Sequence, residues 1–270
     1  MLREGMNAII TGGAKGIGKG IAMALNRHRI ITHILDNDDD AAQETAERLR
    51  TNYPSFSYHC DLSDPWQIEA IFDHILKDNE IDILVNNAGI FIANSYLKGS
   101  YEEALEIFDR QMNINARATY LCTKKIARHM AERKSGHILN IVTNHLKREY
   151  FRPSRSEQAY DASKWAQYEL NESMDRELKE HGIRVNALCP ASTRTAMLEG
   201  FFKDYGIELN AENVGKVTHF ASLLEIEDVG TAAYNVLNWD DDQPTGNAYL
   251  LIYKEDCEEL EKGHSERLKI

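Results

Sequence analysis

Short apolar runs recur along the chain, separated by longer stretches in which apolar residues return every three to four positions. The runs are AIITG (8–12), IITHILD (30–36), FSYHCD (56–61), IDILVNN (81–87), HILNIVT (137–143), IRVNALC (183–189) and NAYLLIY (247–253). Their hydrophobicity is mostly continuous, as in strands covered by helices on both faces. Between them, 41–49, 68–76, 116–131 and 159–179 carry helical periodicity. Strands alternating with helices predict βαβ units and an α/β fold on a parallel sheet. No linker, repeat or low-complexity stretch interrupts the pattern, so 1–254 is expected to be one domain. Past Tyr253 the sequence KEDCEELEKGHSERLKI is dominated by charge, and 255–270 is expected to be a solvated or frayed tail. Residues 192–215 have little periodicity and are expected to form a mobile substrate lid.

Composition narrows the setting more than the chemistry. Among 270 residues, 43% are hydrophobic and 27% charged, which suits a globular protein with a sizeable core. The net charge of -12 argues against nucleic acid or an anionic membrane surface as a principal partner. No apolar run approaches the roughly 20 residues that cross a bilayer. The opening MLREGMNAIITGG has too short an apolar stretch for a signal peptide. Cys60, Cys122, Cys189 and Cys257 are widely spaced, with no CxxC pair and no histidine cluster at metal-ligand spacing. Reduced thiols, a cytoplasmic location and no metal are expected.

Chemistry enters at TGGAKGIGKGIA, residues 11–22, directly after the first predicted strand. Glycines at 12, 16 and 18 let the backbone turn sharply beside a bulky anion, and the following helix offers unpaired N–H groups. An acid closes the next strand: Asp36, in ILDND, twenty-four residues after Gly12. Strand, glycine turn, helix and acid together are the context that dinucleotide binding demands. Asp36 also opens an acidic run through Asp40 that could instead cap the next helix. A carboxylate beside the ribose repels a 2′-phosphate and favours NAD over NADP, whereas Lys15 would pull the other way.

The spacing YxxxK, which places a lysine on the same helix face as a tyrosine, occurs twice. Tyr120 and Lys124 fall inside a long helical stretch. Tyr160 and Lys164, in AYDASKWA, open a helix after the strand HILNIVT, at the sheet end where open α/β folds bind ligands. The second pair is the candidate proton donor and its supporting cation, since an unperturbed tyrosine has a pKa of about 10.

The glycine turn, Asp36, Asp61 in CDLSD, NNAG at 86–89, Asn115 in NINARATYL, YxxSK at 160–164 and RVNALCPASTRTAM together resemble the short-chain dehydrogenase/reductase family, over roughly residues 5–252. The resemblance implies a Rossmann-type, doubly wound, seven-stranded parallel sheet with helices on both faces. It implies hydride transfer between NAD(P) and an alcohol–carbonyl pair, and a homotetramer or homodimer packed through the helices ending near Ala131 and Lys179. Carried over position by position, it makes Tyr160 the general acid or base. Lys164 would hold the nicotinamide ribose and lower the tyrosine pKa, and Asn115 would anchor a water in a proton relay. The cofactor would rest on Gly12, Lys15, Gly16, Ile17, Gly18, Asp36, Asp61, Leu62, Asn87, Ala88, Gly89, Pro190, Thr193 and Thr195, besides Tyr160 and Lys164. Asn86 and Asn87 have a plainer alternative, organising backbone at the sheet switch point.

Two departures stand out. Where the family places a serine after the fifth strand, this chain has Thr143, with the same hydroxyl on a stiffer carbon. The interval to Tyr160 is longer than usual, which leaves Asn144 or His145 as alternatives for that role. Ala191 follows the proline where glycine is usual. The leading reading is a dehydrogenase acting on a small alcohol or carbonyl. Its rivals are a cofactor-binding regulatory or structural protein with little turnover, and an enzyme running another reaction such as epimerisation. Within KREYFRPSR (147–155), Lys147, Arg148, Arg152 and Arg155 against Glu149 form a local cationic patch, which points to an anionic substrate or, alternatively, to a solvated loop whose cations meet acidic neighbours or a partner subunit.

Overall fold

The computed structural model describes residues 1–147, 157–204, 206–217, 222–239 and 245–261. All seven apolar runs become strands: β1 (Asn7–Thr11), β2 (Ile31–Asp36), β3 (Ser55–His59), β4 (Ile83–Asn86), β5 (Gly136–Ile141), β6 (Ile183–Pro190) and β7 (Ala248–Leu251). They form one parallel sheet in the order β3-β2-β1-β4-β5-β6-β7. The order reverses between β1 and β4, so their carboxyl ends flank a crevice.

Successive strand residues serve opposite faces of the sheet, which explains the continuous hydrophobicity. Ile10, Ile34, Val85 and Leu188 enter a core with helices α1 (Gly16–Arg27), α2 (Asp39–Arg50) and α9 (Ile226–Leu237). Ile9, Leu35, Leu84 and Val185 face α3 (Pro65–Asp78), α5 (Ala118–Arg133) and α6 (Gln158–Leu178). α3 starts where proline and a capping side chain both favour it: Pro65 opens the helix and Asp64 accepts from Trp66 N at 2.9 Å. Helix α4 (Tyr101–Gln111) begins on a reciprocal Ser100–Glu103 cap. It runs through a wide π-helical turn, Met112–Arg117, directly into α5.

Two regions differ from their expectations. The charged end is not simply solvated: Lys254–Glu261 forms helix α10, with Cys257 and Leu260 in the core. Its start is pinned by buried Asp256, whose carboxylate accepts from Ile252 N at 2.7 Å and Tyr253 N at 2.8 Å. Asp256 apart, the charges lie towards the outer side of a helix whose two apolar positions, three apart, face inward. Residues 262–270 lie outside the described set. The aperiodic stretch 192–215 contains α7 (Ala196–Asp204) and α8 (Ala211–Val217). Ala191 needs no glycine: it has no positive φ and its N–H extends the ladder to Leu251 O at 2.8 Å. Among the described residues no helix is long and apolar enough to cross a membrane.

Helix α1 is held against α9 by backbone contact. A Cβ on Gly20 would lie 2.1 Å from Ile226 O, and one on Gly230 would lie 2.3 Å from Gly20 O. Gly20→Ala should therefore lower the free energy of unfolding by about 1–3 kcal/mol, the usual range for overpacking. Urea denaturation of the two proteins checks this; a difference under about 0.5 kcal/mol would mean that the helices separate freely.

Candidate active site

The turn after β1 uses its glycines as the motif requires. Gly12 and Gly16 have φ of +61° and +53°, and a Cβ on Gly18 would fall 2.1 Å from Gly12 O. Asn87 secures the turn from the neighbouring strand: its Nδ2 donates to Thr11 O and Gly12 O, both at 2.9 Å. The Thr11 hydroxyl accepts from the N–H groups of Asn87 at 3.0 Å and Ala88 at 3.1 Å. Asn87 thus organises backbone at the switch point as well as lining the crevice. Asn86 is buried and bonds Asn140 Oδ1 at 2.9 Å and Thr123 Oγ1 at 3.2 Å.

Asp36 does not cap α2. Asp38 does, accepting from Ala41 N at 3.1 Å. The Asp36 carboxylate instead accepts from Ala14 N and Asp38 N, each at 3.1 Å, and stays on the crevice wall. Lys15 is tied to Asp38, and this hydrogen bond raises the lysine pKa. The Lys15 ammonium thus already has an anionic partner at the cleft.

Gly12, Lys15, Gly16, Ile17, Asp36, Asp61, Leu62, Asn87, Ala88, Gly89, Tyr160, Lys164 and Thr195 all line one cleft of about 370 Å³. A second cavity of about 180 Å³ adjoins it, lined by Thr143, Pro190, Thr193, Thr195, Ile17 and Tyr160 together with Asn144 and His145. Phe91, Val142, Met197, Leu198 and Phe201 make the rest of its wall mainly apolar. Tyr160 faces both spaces. Gly18 and Asn115 line neither cavity and act from behind the walls.

Tyr160 stands at the opening of α6 against the rings of Phe91 (centroids 5.5 Å apart) and His145 (5.6 Å). Burial pushes its phenol pKa up, a hydrogen bond with Thr143 opposes the shift, and Asp161 and Glu157 add to it. Thr143 is therefore the hydroxyl bonded to the tyrosine, while the alternatives Asn144 and His145 line the same cavity. Lys164, four residues along, is only 4% exposed. Its Nζ donates to Ile141 O and Gln167 Oε1, both at 2.9 Å, and lies 6.0 Å from the Tyr160 ring centroid. Burial lowers its pKa to about 8. The shift expected at the tyrosine is thus not produced by direct contact between the two; each group is moved mainly by desolvation.

Asn115 sits in the wide turn between α4 and α5. Its Oδ1 accepts from Ile90 N at 2.8 Å, and its Nδ2 donates to Ile90 O at 3.0 Å and Ser163 Oγ at 2.9 Å. Ser163 in turn donates to Tyr160 O at 2.7 Å, so Asn115 steadies the turn that carries the tyrosine. The decoy is elsewhere: Tyr120 is half exposed and lines neither cavity.

Sequence reasoning passed over Gln167, three residues from Lys164 and so on its helix face, which helix spacing could have flagged. It also passed over Phe91, Met197 and Phe201, which carry no motif. The cationic patch expected at 147–155 lies outside the described residues except for Lys147.

Residues 6–206 match the family model for short chain dehydrogenases. Secoisolariciresinol dehydrogenase of Forsythia intermedia is 32% identical over 236 residues, covering 85% of this chain and 81% of that protein. The 5-keto-D-gluconate 5-reductase of Escherichia coli K12 is 31% identical, covering 74% and 76%. A candidate NAD(P)-dependent gluconate 5-dehydrogenase from Beutenbergia cavernae, solved with NADP bound, superposes with a TM-score of 0.80 at 23% identity, covering 93% and 96%. The turn, the cleft, and the tyrosine and lysine at its end all sit on a chain that belongs to the short-chain dehydrogenase family of NAD(P)-binding oxidoreductases.

Proposed function

We propose that the protein interconverts a small alcohol and its carbonyl with NAD as the preferred cofactor and Tyr160 as general acid or base. The observation that carries this reading is the position of Tyr160, which lines both cavities and is hydrogen-bonded to Thr143 between them. The cleft fits a dinucleotide on its own geometry: the glycine turn leaves no room for a Cβ at Gly18, and the helix behind it presents its N-terminus.

When bound, the nicotinamide supplies or takes up the hydride. In the direction of reduction, the Thr143 and Tyr160 hydroxyls hold the substrate oxygen, and Tyr160 gives it a proton as negative charge develops there. Lys164, in its cationic form, offsets the charge left on the phenolate. The apolar walls exclude water and strengthen these interactions. The hydrogen bond between Thr143 and Tyr160 supports the catalytic reading over the non-catalytic one, with the threonine hydroxyl in the place of the usual serine.

NAD is preferred because a 2′-phosphate would meet Asp36, and Lys15 is already engaged by Asp38. The NADP in the Beutenbergia structure belongs to that protein. Asp36→Ala should improve kcat/KM with NADP relative to NAD by about tenfold or more; a wild-type protein that already binds NADP more tightly by titration would refute the preference.

Tyr160→Phe should lower turnover by about 10²–10⁴-fold with little change in cofactor affinity, followed by absorbance of the reduced cofactor. Tyr120→Phe should leave turnover near normal, and the reverse pattern would assign the chemistry to the wrong tyrosine. The pH response follows from a raised phenol pKa: the acid form persists through neutrality, and the base form grows as pH rises. Alcohol oxidation should therefore accelerate from about pH 7 to 9 while carbonyl reduction does not. Parallel profiles in the two directions would show that another group moves the proton.

A further inference from the structure

Two groups beside the cofactor cleft leave no choice in the direction of their hydrogen bonds. The Lys164 ammonium can only donate, and the backbone carbonyl of Asn115 can only accept. Two side chains join them. Lys164 Nζ donates to Gln167 Oε1 at 2.9 Å, Gln167 Nε2 donates to Thr119 Oγ1 at 3.0 Å, and Thr119 Oγ1 donates to Asn115 O at 3.1 Å. Gln167 is fully buried and Thr119 nearly so, which removes water as an alternative partner. Shape alone would let the amide sit either way round. The two ends decide it: Thr119 gives its proton to the Asn115 carbonyl, its oxygen accepts from the amide nitrogen, and the amide oxygen is left for the lysine.

The surroundings make that oxygen consequential, because burial lowers the Lys164 pKa to about 8 and its charge is readily lost. The titratable groups that face it are Tyr160, whose ring centroid is 6.0 Å away on the same helix, and the Cys189 thiol on β6. Burial keeps both in their neutral forms, pushing the thiol to about 12. β5 presents the Ile141 carbonyl, α5 presents Thr119 behind Gln167, and Gly89 and Asn115 lie beside the ammonium, none of them ionisable. Among the described residues, its charge therefore rests on two carbonyl oxygens, those of Ile141 and Gln167. Such a bond is charge-assisted and stabilises the ammonium more than the neutral amine. With two N–H groups taken, a third remains on a side chain that lines the cleft.

We propose that Gln167, oriented by Thr119, is a positioning residue that holds Lys164 in place and in its charged form at the end of the cofactor cleft. It touches neither substrate nor cofactor and acts through the lysine, as an outer hydrogen-bond partner orients the group that does the work. Thr119 acts one step further back, by choosing which end of the amide the lysine meets. The consequence for the reaction rests on the oxidoreductase reading above, whereas the hold on the lysine can be measured without cofactor or substrate.

The test is an NMR titration of protein labelled with ¹³C at the lysine Cε carbons, with the Lys164 signal assigned by its loss in Lys164→Met. Gln167→Leu, which keeps the bulk and removes the acceptor, should lower the titration midpoint of Lys164 by about one pH unit or more. Thr119→Val should shift it in the same direction, and Thr119→Ser, which keeps the hydroxyl, should restore the wild-type midpoint. Gln167→Glu, which sets a carboxylate against the ammonium, should raise it. Calorimetric titration with NAD gives the second readout: Gln167→Leu should lose about 3- to 10-fold more affinity at pH 9 than at pH 6.5, because its lysine is neutral at the higher pH. An unchanged midpoint in Gln167→Leu, a shift there with none in Thr119→Val, or equal losses of affinity at the two pH values would each overturn the proposal. Where Gln167→Leu does not fold, Thr119→Val and Gln167→Glu decide by the same titration. The expected midpoint shifts in proteins that bind neither NAD nor NADP would uphold the hold on Lys164 and overturn the oxidoreductase reading.

Discussion

Lys164 is a buried cation, and its burial is the constraint on which the site depends. A charged ammonium away from water is tolerated only when its donors find acceptors. Here they are the carbonyl at the end of β5 and the side chain of Gln167. Gln167 then donates to Thr119 at 3.0 Å, and Thr119 to the backbone of Asn115 at 3.1 Å. Asn115 ties in the segment after β4 and, through Ser163, the first turn of α6. One hydrogen-bonded series thus joins the sheet end, the wide turn and the helix that carries Tyr160. Beneath it, Asn86 bonds Asn140, which bonds Asn171 at 2.9 Å, linking β4, β5 and α6 through the core. Leaving any member of such a series without its partner costs about 1–3 kcal/mol, so its geometry is strongly specified.

The same series explains why the ionisable groups need not touch in order to cooperate. Tyr160 and Lys164 are held on adjoining walls, the first by Thr143 and its helix, the second by Ile141 and Gln167. Desolvation moves both towards their neutral forms. Their coupling therefore waits on what lies between them, and the protein's contribution is to keep two desolvated groups aimed at one place.

The strands were legible because each is covered on both faces and reads as an unbroken apolar run, and the glycine turn because its function demands residues with no Cβ. The α4 helix and the wide turn were not, since nothing in period or composition marks an extra residue in a helix. Asn115 could be named only from family resemblance, and its partners Ile90 and Ser163 only from the fold. α10 was hidden by its own charges: with only Cys257 and Leu260 turned inward, its sequence reads as tail. The pairing of Lys15 with Asp38 was invisible as well, because an acidic run offers a lysine several partners and only the turn geometry chooses among them.

The wide turn at Met112–Arg117 also changes which residues share a side of the long helix. Tyr101, Leu105 and Phe108 on α4 and Tyr120 on α5 are large and substantially exposed. Discounting the one extra residue of a π turn, Tyr120 follows Tyr101 by 18 positions, or about five full turns at 3.6 residues each. The bulge that turns Asn115 inward therefore brings the outer aromatic positions of both halves back into phase. Losing a single residue from this segment would rotate everything beyond it by about 100° around the axis, scrambling the inner polar side and the outer face together. Substitutions here can be absorbed one side chain at a time; a change in length cannot.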